Sequence, residues 1–202
     1  MQSNEELVTH LRRSGVLKTP RIIEAFRAVD RKQFIENNDQ AYRDEPLPIG
    51  WDQTISQPSV VAFMLELLQP LPGELVLDLG SGSGYTTALI AHIIGVQGRV
   101  IGVERIAELV EFGWRNVEGM YAEQAEIHRA GKELGWPEDA PYDRILVSAA
   151  AKSIPEELVS QLKHSGVMVL PVKSSVVKLT KRAQGNYTID EHEGFRFVPL
   201  VG

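Results

Sequence analysis

The spacing of apolar residues changes character twice along the 202-residue chain. In the first third it has a helical period. Leu7, Val8 and Leu11 share a face within residues 5–11, and Ile22, Ile23, Phe26 and Val29 form a stripe behind Thr19 and Pro20, an N-cap followed by proline at the first helical position. A third helix is expected after Pro58, with Val60, Val61, Met64, Leu67 and Leu68 turned inward and LQPLPGE ending it. From Leu75 onward, short continuous apolar runs alternate with helical periods. Strands are expected over 75–80, 99–104, 142–149 and 166–172, with a weaker one in AEIHRA; helices are expected over 86–95, 106–116 and 154–163. Buried strands separated by helices imply βαβ units, hence an α/β fold with a doubly wound, mostly parallel sheet. The tail differs: VVKLTKRA, QGN, YTIDEHEG and FRFVPLV read as strands joined by turns, antiparallel at the edge of the sheet. The pattern predicts one domain over 1–202, with N-terminal helices and a loop over 1–70, a βαβ core over 71–172 and antiparallel strands over 173–202.

One stretch fits neither pattern. LPIGWDQTISQP, residues 47–58, is too poor in apolar residues for a core strand and too broken by Gly and Pro for a helix, yet it stands directly ahead of one.

The most informative stretch is LVLDLGSGSGYTTALIA. A buried strand ends at Asp78-Leu79, glycines follow at 80, 82 and 84, and a helix begins. Such a loop lies at the carboxyl end of a strand, where ligands of open α/β sheets bind. A phosphate loop would need Gly-Lys-Ser/Thr, but Gly84-Tyr85-Thr86 has no lysine; a dinucleotide fingerprint would need a glycine where Tyr85 stands. G-x-G-x-G with an acid two residues ahead resembles motif I of the S-adenosylmethionine-dependent methyltransferases. An acid suits a cofactor that carries a sulfonium and an ammonium, and the resemblance places Asp78, Gly80, Ser81, Gly82 and Gly84 around it. Glu104, at the end of the next strand, can accept hydrogen bonds from both ribose hydroxyls, and its neighbour Arg105 belongs to the same candidate set. Taken singly, Asp78 also reads as a capping or turn residue and Glu104 as a solvated strand end; together, in this order around βαβ, they favour the cofactor.

Composition narrows the function classes. With 27 acids against 21 bases the net charge is −6, and the nearest approach to a basic cluster, KLTKR, reads as the solvated face of a strand, so no nucleic-acid partner is expected. No apolar run is long enough to span a bilayer and the N-terminus lacks the apolar segment of a secretion signal, so no membrane partner is expected. There are no cysteines, which fits a cytoplasmic chain. The five histidines lie far apart, none paired at metal-ligand spacing, and no metal site is expected.

The wider string YRDEPLPIGWDQTISQPSVVAFM is similar to the signature of the protein-L-isoaspartate O-methyltransferases. LDLGSGSGY, GRVIGVE, LGWPEDAPYDRILVSAAA, IPEELVSQLK, GVMVLPV and RFVPLV match that family's motifs in order, over nearly the whole chain. The resemblance implies the class I, Rossmann-like methyltransferase fold, S-adenosylmethionine as cofactor, and repair as the activity. The family methylates the α-carboxylate of isoaspartyl residues in damaged proteins; the ester then closes to a succinimide, and hydrolysis returns some normal aspartate. A free α-carboxylate titrates at roughly 3.5, so it arrives ionised and needs no general base. Residues 47–58 then read as an active-site cover that aligns the reactants and keeps water out. On this reading Gln53, Thr54, Ile55 and Ser56 contact the cofactor; Asp44, Thr54, Ser56 and Ala150 contact the substrate; and Ser56 is the active-site serine, positioning rather than attacking. Ser56 could also cap the helix near Pro58, and the two roles can coexist.

The chain departs from the family pattern at Asp52, where glycine is usual, at Ser59, and at AGKELGW, where a turn acid is replaced and backbone amides at Gly131 or Lys132 would hold the adenine end. Two other functions are compatible with these departures: a carboxyl methyltransferase acting on aspartates of a dedicated peptide, and a degenerate cofactor-binding protein. The short tail leaves little for a swapped arm, and a monomer is expected.

Overall fold

The computed structural model describes residues 1–36, 38–183 and 186–200. Two helices, α1 (Asn4–Arg13) and α2 (Pro20–Ala28), open the chain, followed by a 3₁₀ turn at Arg31–Phe34. Next come a two-stranded antiparallel hairpin, β1 (Leu47–Gly50) and β2 (Gln53–Ile55), and helix α3 (Pro58–Leu68). Pro20 opens α2 as expected, but Thr19 makes no side-chain cap. Its hydroxyl instead donates to Glu66 Oε2 at 2.7 Å, while Glu66 Oε1 accepts from the amides of Lys18 and Thr19, each at 2.7 Å. A carboxylate on α3 thus satisfies the start of α2 and locks the two helices together.

The core then alternates: β3 (Leu75–Leu79), α4 (Tyr85–Ile94), β4 (Arg99–Glu104), α5 (Ala107–Tyr121), β5 (Ala125–Arg129), β6 (Tyr142–Val147), α6 (Glu156–Ser160), β7 (Leu162–Val172), β8 (Ser175–Lys181) and β9 (Tyr187–Glu193). The seven-stranded sheet has the order β5-β4-β3-β6-β7-β8-β9. All pairs from β5 to β7 are parallel; β7-β8 and β8-β9 are antiparallel. The chain moves outward from β3 to β5 and then returns to lay β6 against the other side of β3. This reversal opens a crevice at the carboxyl ends of β3 and β6.

Alternate strand residues feed two apolar clusters. Val76, Val100, Leu146 and Val169 pack with buried residues of α1, α2, α3 and α4. Leu77, Ile101, Ile145 and Met168 face a thinner cover that includes Leu158 and Val159 of α6 and partly buried Leu134 and Trp136. The helices are therefore unequally shared between the faces. Tyr85, at the start of α4, sits edge-on to Phe26 with centroids 6.2 Å apart and is tilted against Phe34 at 5.3 Å, which seats the N-terminal helices against the beginning of α4.

Several boundaries differ from the pattern. The hairpin forms where a loop was expected, because the polar stretch pairs with itself outside the main sheet. The helix expected over 154–163 is confined to Glu156–Ser160, since Gln161 O accepts from Tyr142 N at 2.8 Å and the strand begins at Leu162. The helix expected to end at 116 continues to Tyr121. The expected third antiparallel strand in FRFVPLV is not formed over its described residues, 195–200: Pro199 makes an isolated parallel bridge to Ala150, where Ala150 N donates to Val198 O and Leu200 N to Ala150 O, both at 2.8 Å. Proline has no N–H to continue a ladder. Two residues of the expected QGN turn, Gln184 and Gly185, lie outside the described residues.

Candidate active site

Strand β3 delivers the chain to the crevice. Residues 80–84 turn through three glycines of positive φ: +83° at Gly80, +52° at Gly82 and +83° at Gly84. At Gly84 a Cβ would lie 2.7 Å from Val117 Cγ2 and 2.8 Å from Gly113 O, so only glycine lets α4 and α5 close behind the loop. Gly80 is left on the wall of a cavity of about 310 Å³.

Asp78 is fully buried behind this loop rather than on the cavity wall. Its Oδ2 accepts from Thr86 Oγ1 at 2.7 Å and Thr87 Oγ1 at 2.6 Å, tying the end of β3 to the first turn of α4. Burial pushes its carboxyl up to about 6; the two threonine hydroxyls oppose the rise and the Glu104 carboxylate adds to it. Its Oδ1 has no partner among the described residues. Asp78 thus combines the capping-type role with an unsatisfied carboxylate oxygen beside the loop.

Glu104 is on the wall and only 7% exposed. Its Oε2 accepts from Gly82 N at 3.1 Å and its Oε1 from Ile106 N at 2.9 Å. Two backbone amides therefore aim the carboxylate, and each oxygen keeps acceptor capacity for a ligand hydroxyl. The remaining wall comes from Leu79, Val103, Arg105, residues 130–135, Ser148 and Ala149, residues 198–200 and, from the hairpin, Gln53. Its volume lies at the lower end of the range for small-molecule sites, roughly 300–1,000 Å³. A positive-φ glycine wall, an aimed carboxylate and an orphaned acid oxygen fit S-adenosylmethionine, whose hydroxyls need acceptors and whose charges are cationic.

A second concavity of about 290 Å³ is lined by Pro46, Thr54, Ser56, Gln57, Val60, Ser148, Arg196, Phe197 and Val198. Ser148 and Val198 belong to both walls. A cleft of about 30 Å³ shares Ser148 with both and includes Thr54, Ile55, Ser56, Ser81 and Gly82. The inner cavity and the outer groove therefore meet at Ser148 and Val198, with Thr54 and Ser56 on the wall of the outer groove and of the cleft between.

The expected site residues separate into groups. Gln53, Gly80, Glu104, Arg105, Gly131 and Lys132 line the inner cavity, and Thr54, Ile55, Ser56, Ser81 and Gly82 line the junction. Ile55 itself is buried opposite Leu47. Ser81 Oγ is buried without a partner among the described residues. Gly84 packs against α5. Asp44 lies on none of these walls: its Oδ1 accepts from Ser59 N at 2.8 Å, within the first turn of α3, and His10 Nε2 is 3.7 Å from its Oδ2. Ser56 is not the cap of that helix; Gln57 holds the N-cap position without a side-chain bond, and Asp44 supplies the acceptor. Ala150 carries the bridge to residues 198–200 through its backbone.

Sequence reasoning missed Ser148, Glu133, Arg196 and Val198. Ser148 had a usable signal, since it directly follows a strand at the reversal point of the sheet. Arg196 and Val198 lay in the family-like string RFVPLV, but the tail was assigned to an edge strand and so kept away from the site.

The profile of the protein-L-isoaspartate(D-aspartate) O-methyltransferases matches residues 2–202. The chain belongs to that family. A protein-L-isoaspartate O-methyltransferase of Methanopyrus kandleri is 42% identical over 208 residues, covering 100% of this chain and 92% of that protein. One of Triticum aestivum is 40% identical over 212 residues, with the same two coverages. Among solved structures, a Plasmodium falciparum protein described as a protein-L-isoaspartate O-methyltransferase, in complex with S-adenosyl-L-homocysteine, superimposes with a TM-score of 0.89 at 27% identity, covering 100% of this chain and 99% of that one. These matches bear out the expected family, fold class and cofactor: the protein is an S-adenosylmethionine-dependent methyltransferase.

Proposed function

We propose that the inner cavity holds S-adenosylmethionine, that the outer groove takes an L-isoaspartyl segment of a damaged protein, and that the methyl group passes to its α-carboxylate at the junction. The observation that supports this most is the sharing of Ser148 and Val198 by the two walls beneath residues 54–56. A donor and an acceptor bound in separate concavities reach each other only where those concavities meet.

The chain's own groups suit the chemistry. Glu104 accepts from ribose hydroxyls, the residue 80–84 turn gives backbone approach, and residues 130–135 border the adenine end, with backbone amides at Gly131 and Lys132 available where the family turn acid is absent. When bound, the cofactor supplies a methyl group on a cationic sulfur that leaves as a neutral thioether once the carboxylate oxygen has taken the methyl. The carboxylate is ionised above roughly pH 4.5, so the hydroxyls of Thr54, Ser56 and Ser148 have only to orient it. Arg196, exposed on the groove wall, adds a cation that favours an anionic segment. With both reactants bound, the hairpin would lie over the junction and limit the access of water. We place the protein in the cytoplasm, a reading with which the cysteine-free composition is compatible; no helix among the described residues is long and apolar enough to cross a membrane.

Methyl-labelled cofactor offered with matched peptides that carry isoaspartate or aspartate at one position tests the proposal. Label is expected in the isoaspartyl peptide alone, as a base-labile ester, and Ser56→Ala is expected to lower kcat by about 10–100-fold. Equal labelling of both peptides, or tight cofactor binding without transfer, contradicts the proposal.

A further inference from the structure

Among the described residues, Arg31 is one of the largest fully buried side chains, with no exposed surface. A guanidinium so placed usually answers a carboxylate. Here its partners among the described residues are four backbone carbonyls: Nη1 donates to Ala41 O at 2.6 Å and, at the long limit of 3.5 Å, to Arg43 O, while Nη2 donates to Glu45 O at 3.1 Å and Ser56 O at 3.0 Å. Glu45 and Ser56 are not neighbours in sequence; they flank the β1–β2 hairpin. One nitrogen thus holds both feet of the hairpin, and the second holds the segment leading into it. The hairpin has no ladder to the main sheet, so backbone pairing does not place it. Leu47 and Ile55 tuck into the core, but apolar contacts are non-directional and leave the strand free to slide. The 3₁₀ turn carrying Arg31 is itself fixed. Asp30 Oδ1 accepts from Lys32 N at 2.9 Å, Tyr42 OH donates to Asp30 Oδ2 at 3.1 Å, and Phe34 is fully buried.

Burial lowers the Arg31 guanidinium to about 10, still charged at neutral pH. Charge-assisted donors are stronger than neutral ones, and planar geometry lets one group serve carbonyls in two directions. The carboxylates of Asp44 and Glu45 oppose that fall through space, but no hydrogen bond joins them to the guanidinium, and its Nε has no partner among the described residues, so retaining this buried charge is costly. It is explained if those carbonyls have to stand in one place, and the residues between them supply Gln53 to the inner cavity and Thr54 to the outer groove.

We propose that Arg31 is a positioning residue for the methyl transfer: it pins residues 45 and 56 together and so sets where Thr54 and Ser56 stand over the junction. This rests on the transfer site proposed above. Arg31 touches neither reactant on this reading. Its loss acts on alignment, where a misplacement of about 1 Å costs on the order of 100-fold in rate.

The test uses the full chain with Arg31→Met and Arg31→Lys. Three quantities are compared with wild type: affinity for S-adenosylhomocysteine by calorimetry, kcat and KM on an isoaspartyl peptide, and amide hydrogen exchange by peptide segment. In Arg31→Met, kcat is expected to fall about 10–100-fold, with KM and cofactor affinity within about threefold. Exchange is expected to accelerate across residues 45–56 while β3 and β4 keep their protection. Arg31→Lys, whose ammonium reaches some of the same carbonyls, is expected to recover part of kcat and part of the hairpin protection. Unchanged hairpin exchange or unchanged kcat in Arg31→Met overturns the proposal. So does a uniform loss of protection with collapsed cofactor binding, which would make Arg31 a general folding residue. If Arg31→Met does not fold, Arg31→Lys decides: faster hairpin exchange with reduced kcat supports the pin, and wild-type behaviour in both overturns it. A wild-type chain that fails to methylate the peptide counts against the transfer site, whereas exchange and cofactor affinity still judge the pin.

Discussion

At the scale of single residues, Asp78 and Glu104 show how two carboxylates around one βαβ unit divide their work. Glu104 is held by Gly82 N and Ile106 N on the cavity wall, free to meet hydroxyls. Asp78 is sealed behind the loop, held by two threonine hydroxyls and raised from 3.8 to about 6 by burial. The raised value fixes a direction for stability. Between about pH 4 and 6 the folded, cofactor-free protein holds a proton that the unfolded chain has released, so this group's contribution is fully present below about pH 4 and is lost as pH rises through 6, on the order of 3 kcal/mol in all. Asp78→Asn removes that slope. Denaturant titrations are expected to show wild-type stability falling relative to Asp78→Asn between pH 4 and 7; wild-type stability that rises relative to Asp78→Asn over this range contradicts the assignment. Both acids were legible from their place in the motif. Asp78's burial was not, because the motif records the acid and omits the threonines that enclose it.

At the scale of elements, the hairpin contributes to both concavities, Gln53 to the inner cavity and Thr54 to the outer groove. Trp51 and Asp52 form its two-residue turn with φ of +51° and +56°. Two left-handed residues match the twist of a hairpin, and Asn-Gly is the preferred pair. Aspartate tolerates that region better than most residues, whereas a β-branched residue does not. Asp52→Val is therefore expected to cost about 1–2 kcal/mol locally, read as roughly 5–30-fold faster amide exchange over residues 47–55, while Asp52→Gly keeps or slows it. Equal exchange in the two variants contradicts the turn geometry. Residues 47–58 were legible as a stretch apart from the core sheet but not as strands. Only four and three residues pair, Pro48 interrupts the alternation, and the register shifts between Pro48 and Gly50. Strand signals depend on longer runs. The role of Arg31 was equally hidden, since a lone arginine after a helix reads as surface until carbonyls from residues 41–56 close around it.

At the scale of the whole molecule, the alternation of apolar runs and helical periods was enough to foresee a parallel sheet, because each buried strand is a short continuous apolar word between helices. The strand order, and with it the reversal between β3 and β6, is a long-range property that no local pattern records. Nor does local pattern tell that residues 195–200 leave the antiparallel edge and return beside Ala150, bringing Arg196 and Val198 to the groove. That return is what makes a shared wall possible: the last described segment of the chain meets the end of β6 at the point where donor and acceptor must converge.

A crystal structure of the protein with S-adenosylhomocysteine and an isoaspartyl peptide tests this convergence most directly. The cofactor product is expected in the inner cavity with its ribose on Glu104 and its sulfur toward the junction, and the peptide's α-carboxylate is expected beside Thr54, Ser56 and Ser148 with its backbone along the Arg196 groove. A peptide bound on another face, or a sulfur turned away from residues 54–56, would contradict the account.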